Sequence, residues 1–76
     1  MVWQHKSRGH WFCTDIKPLE IEVKILSSGS VAWQVKNEAG VFFRDKAASP
    51  RIAMECAAIH AIEVAKHFKT PIVEQF

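Results

Sequence analysis

Tyrosine is absent from this 76-residue chain, glycine and proline occur three times each, and cysteine only twice. Two cysteines fall short of a disulfide scaffold, so Cys13 and Cys56 are expected as free thiols of a reducing compartment. No apolar run approaches the roughly 18 residues that cross a bilayer. The basic opening segment has no apolar stretch of about 7 residues behind it, which argues against a signal peptide. A cytoplasmic location, with no membrane partner, is the expectation.

Catalytic signatures are equally scarce. There is no GxSxG elbow, no glycine-rich phosphate loop, no CxxC or HExxH, and no evident carboxylate pair. Cys56 and His60 stand one helical turn apart, a spacing too common to imply a nucleophile and its base. Cys56, His60, Glu63 and His67 would line one edge of a helix, with Cys13, His5 and His10 available from elsewhere. These are zinc or copper ligand types, but neighbouring turns of one helix rarely complete a tetrahedral site. The expectation is a wet helix edge: no catalytic residue, no metal, no cofactor and no enzyme. The formal charge of +2 is likewise too small to announce a nucleic-acid binder by itself.

What the chain does have is enough apolar residue for one thin core. Hydrophobic residues make up 49% and charged residues 24%, so residues 1–76 read as one folded domain. A chain this short buries only about 60% of its unfolded surface. Residues 1–10 look like a basic aromatic arm, holding His5, Lys6, Arg8 and His10 with Trp3 and no acidic residue. Residues 11–16 are β-prone and are a candidate strand, interrupted at Lys17-Pro18.

From 19 to 26, Leu19, Ile21, Val23 and Ile25 alternate with Glu20, Glu22 and Lys24, the pattern of a half-wet strand. Ser27 to Ser30 makes a turn. Residues 31–36 then put Val31, Trp33 and Val35 on one face, and Asn37 to Gly40 turns the chain into a strand over 41–46. Ser49 as N-cap and Pro50 at the first helical position open a helix that meets no further breaker until Thr70-Pro71. Residues 71–76 read as a C-terminal tail. The expected fold is therefore α+β: a three-stranded antiparallel meander, four-stranded if 11–16 joins it, packed on one long helix.

That helix carries apolar residues on two sides. At about 100° per residue, Ala53, Met54, Ala57, Ala58, Ala61, Val64, Ala65 and Phe68 form a core-facing stripe. Ile52, Cys56, Ile59 and Ile62 emerge on the other side, among Glu55, Glu63 and Lys66. One sheet covers one face of a helix, so these isoleucines need another cover. The arm with Trp3 and Trp11, the C-terminal Ile72, Val73 and Phe76, a second copy of the chain, or a different protein would each supply it.

Ser49, Ala53, Ala57-Ala58 and Ala61-Ile62 match the spacing S-x3-A-x3-A-A-x2-A-L. With the preceding meander, residues 19–66 resemble the βββα portion of double-stranded-RNA-binding domains. The resemblance implies small residues that let the helix lie close on the sheet. That family's opening helix has no counterpart in residues 1–18, and only Arg51 remains of the basic cluster at the start of its last helix. HicB-type antitoxins show a similar ending of sheet and alanine-rich helix.

Two functions follow as expectations. The first is a non-catalytic protein-interaction module of the inhibitor, antitoxin or adaptor kind, a type that includes phage-encoded proteins. It would dock through Ile52, Cys56, Ile59 and Ile62 together with Trp3 and Trp11, onto its own copy or another protein. The alternative is a nucleic-acid binder that uses Lys6, Arg8, Arg44, Lys46 and Arg51.

Overall fold

The computed structural model describes residues 1–75, and the side chains of residues 1–66. The chain runs β1 (Gln4–Ser7), β2 (His10–Cys13), β3 (Glu20–Ile25), β4 (Val31–Asn37), β5 (Gly40–Ala47) and α1 (Pro50–Gln75). All five strands form one antiparallel sheet in the order β1-β2-β3-β4-β5. The α+β class and the meander before a C-terminal helix hold. The strand count is five instead of three or four, because part of the expected arm folds back on the sheet as β1. The helix also runs past Thr70-Pro71, where the sequence suggests its end.

The turns follow from their residues. Gly9, at φ 70°, reverses the chain between β1 and β2, and its carbonyl accepts the Ile25 N–H at 2.8 Å. Gly29, at φ 90°, closes the β3–β4 turn with its N–H on the Leu26 carbonyl at 2.9 Å. Asn37 Oδ1 accepts the backbone N–H groups of Ala39 and Gly40, at 2.8 and 3.2 Å, which sets the β4–β5 turn. The Lys17–Pro18 peptide between β2 and β3 is cis.

Register divides the side chains between two faces. Two rows face α1: Trp11, Val23, Trp33 and Asp45 lie opposite one another across β2 to β5, and so do Cys13, Ile21, Val35 and Phe43. Leu19, Ile21, Val23, Val35 and Cys13 are essentially inaccessible to solvent and form the core with Val31 and Trp33. Burying each Leu, Ile or Val contributes about 1.5–3 kcal/mol.

The helix supplies the other half of the core. Ser49 caps it as the sequence suggests: its Oγ accepts the Ile52 N–H at 3.3 Å. Ala53, Ala57 and Ala61 repeat every four residues and are fully buried. Larger residues at these three positions would hold α1 away from the sheet. Met54, Val64 and Ala65 pack around the same core, half-buried. Phe68 of the expected stripe, and Ile72, Val73 and Phe76 as candidate covers, lie outside the residues whose side chains are described. No helix among the described residues is long and apolar enough to cross a membrane.

Candidate functional site

Two surfaces remain after the core is built, one beside the helix and one on the far side of the sheet. The first follows from where α1 lies. The helix contacts β3, β4 and, less extensively, β5. On the β2 side, Trp3 and Trp11 pack against the core and fill the space beside the helix, and His5 stacks on Trp11 at 5.1 Å between centroids. The tryptophans read as docking residues thus help to close the core.

The β5 side is left open. Phe43 faces α1 yet remains 40% exposed, and Val41 and Phe42 are exposed beside it. His60 stacks on Phe43 at 4.4 Å and against Trp33 at 5.0 Å, linking the edge strand to the helix. By helical spacing Ile52, Cys56 and Ile59 lie on the same half of α1 as His60, while Met54, Ala58 and Ala65 lie on the other. Ile59 is 63% exposed, Ile52 45% and Ile62 44%, and Cys56 is half-buried. The three isoleucines are thus bare, and His60 joins the half of α1 that carries Ile52, Cys56 and Ile59 to Phe43 on the edge strand.

His60 is occupied by two aromatic rings, and no three His, Cys, Asp or Glu side chains converge on a common point among the described residues. His67 lies outside the residues whose side chains are described. The Trp33 indole N–H is buried and finds no acceptor among the described residues.

On the far face, β2 to β5 place His10, Lys24, Ala32 and Lys46 in one row, and Phe12, Glu22, Gln34 and Arg44 in the next. Glu22 is the one buried charged residue among the described residues, at 7% exposure. His10 Nε2 donates to its Oε2 at 2.6 Å, Gln34 Nε2 donates to Oε1 at 2.9 Å, and Lys36 forms a close ion pair with Oε1. Lys36 also reaches Glu20 at 3.3 Å, and Lys6 stands 4.0 Å from Glu22.

Burial alone would raise the Glu22 pKa. The hydrogen bonds from Lys36, Gln34 and His10, with the charge of Lys36, outweigh that and bring it from 4.5 to about 2. The same contact raises the pKa of Lys36. Sequence reading places Glu22 on the wet face but misses its burial. Its partners are 12 to 16 residues away and are brought in only by strand pairing.

The expected nucleic-acid residues separate. Arg44 and Lys46 share the far face, with Lys6 joining through Glu22. Arg8 lies in the β1–β2 turn, and Arg51, at the start of α1, pairs with Glu55 at 3.5 Å. No protein-family model, curated protein or solved structure matches the chain.

Proposed function

We propose that this chain is a non-catalytic protein-interaction module that docks through the outer face of α1 and the adjoining β5 edge. The observation that carries the reading is the bare isoleucine face. Ile59 is 63% exposed and flanked by Ile52 and Ile62, on a helix whose opposite side is already filled by the sheet. Apolar side chains grouped this way gain free energy only when a partner removes them from water. The Cys56 side chain lies at the same surface. The inhibitor, antitoxin or adaptor class fits a chain with one docking surface and no converging catalytic groups among its described residues.

A second copy of the chain is the first partner to test. Light scattering after size-exclusion chromatography should give a dimer for the parent chain and a monomer for Ile59→Asp, with melting temperatures within about 2 °C. Unfolding of Ile59→Asp would make Ile59 part of the core and end the proposal. A parent chain that stays monomeric at millimolar concentration would remove self-association and leave a foreign protein as the partner.

A further inference from the structure

We infer that the far face of the sheet binds the phosphodiester backbone of a single-stranded nucleic acid, through Lys24, Arg44 and Lys46 around Ala32. The argument begins with where the charge is. Lys6, Lys24, Lys36, Arg44 and Lys46 lie on this face against Glu20, Glu22 and the Asp45 that lines its trough, a balance of +2 that equals the formal charge of the whole chain. The remaining charged residues therefore sum to zero. A modest net charge conceals a one-sided distribution.

The five cations are not equivalent. Lys36 and Lys6 are engaged with the two carboxylates. Lys24, Arg44 and Lys46 are exposed and make no ion pair among the described residues. Register fixes their arrangement: Lys24 and Lys46 both pair with Ala32, one from each neighbouring strand. Two strand spacings put their backbones about 10 Å apart. The small Ala32 side chain between them leaves a shallow trough of about 510 Å³, lined by Leu26, Ala32, Arg44, Asp45 and Lys46. Asp45 is turned to its own backbone, where its Oδ1 accepts the Lys46 N–H at 2.8 Å. A second depression of about 200 Å³ adjoins it along Leu26 and Ala32 and reaches Lys24 and His10.

A face whose two adjoining depressions carry Arg44 and Lys46 in one and Lys24 in the other suits a flexible polyanion laid across the strands. Phe12, one row away and half-buried, supplies a ring against which a base can rest, while His10 in the Lys24 row is turned to Glu22. A duplex would need an element that projects into a groove, and this face has none.

The test is fluorescence anisotropy with a labelled 20-nucleotide oligouridylate. Three phosphate contacts predict a slope of log affinity against log salt of about −2, a loss of about twentyfold between 50 and 200 mM salt. Lys24→Glu/Lys46→Glu should weaken binding at least tenfold and flatten the slope to about −0.7. Ile59→Asp should change binding less than twofold, which separates this surface from the protein-docking face. Arg44→Gln serves as a milder second variant should the double reversal alter the melting temperature, and should weaken binding several-fold. Absence of binding at 50 mM salt, or unchanged affinity in a folded charge variant, would overturn the inference. So would equal competition by polyglutamate, which would assign the face to acidic polypeptides, or tighter binding of a duplex of the same length.

Discussion

Converting Glu22 to glutamine tests whether the far face is held by its single buried carboxylate. The Glu22 pKa falls from 4.5 to about 2 on folding. A depressed acid contributes stability that is fully present above its unfolded pKa and is lost as pH falls through its folded pKa, here between about 4.5 and 2. At about 1.4 kcal/mol per unit the shift corresponds to about 3 kcal/mol. Lys36 is 31% exposed and Lys6 54%, so solvent screens part of their attraction, and about 2 kcal/mol is the working figure. Urea unfolding from pH 7 to pH 2 should show the parent chain losing about that much more stability than Glu22→Gln, with the difference confined to the window below pH 5. At pH 7 the variant should be less stable by a similar amount, a fall in melting temperature on the order of 10 °C. Comparing the two chains cancels the titration of the other carboxylates. Parallel pH profiles, or equal stability at pH 7, would refute the account of Glu22 as the anchor of this face.

Further tests address the core and the helix. Ser49→Ala removes the acceptor of the Ile52 N–H and should cost about 1 kcal/mol in urea unfolding, with the slope m unchanged. Ala57→Leu inserts a branched side chain where the helix meets the sheet, at a residue with no solvent exposure; it should cost about 1–3 kcal/mol or prevent folding. Thiol labelling of the native chain should modify Cys56 first, because it is only half-buried. Cys13, fully buried and with its pKa raised chiefly by that burial, should react only as the chain unfolds, so two fast thiols would contradict the packing of β2.

What the sequence makes legible is whatever local pattern dictates. The alternation over 19–26 and 31–36 gives β3 and β4 with their correct faces, and Ser49-Pro50 gives the helix start. The alanine spacing gives the buried ridge of α1. Strand β1 is invisible to such reading because Gln4, His5, Lys6 and Ser7 are all exposed and carry no apolar alternation. They pair because β2 offers an open edge. The cationic trough is hidden for a related reason. Lys24 and Lys46 are 22 positions apart in sequence and meet only because both pair with Ala32. The surroundings of His60 are hidden likewise, since the residues that decide them, Trp33 and Phe43, come from two strands.

The two edges of the sheet differ in a way that bears on the docking side. Strand β1 is short at four residues, polar, and has an irregular register between His5 and Ser7, features that discourage pairing with another chain. Strand β5 is eight residues long and exposed through Lys46, with Val41, Phe42 and Phe43 in its first half and Arg44, Asp45 and Lys46 in its second. The register shift at Val35/Lys36 falls within the apolar half, and the charges guard the other half. Regular strand addition along the whole of β5 is therefore disfavoured. A partner that packs side chains across Phe43, His60 and Ile59 meets neither obstacle. The β5 side thus favours a packed side-chain interface centred on the helix, and for that reason Ile59, not the β5 backbone, is the residue on which the proposed function should stand or fall.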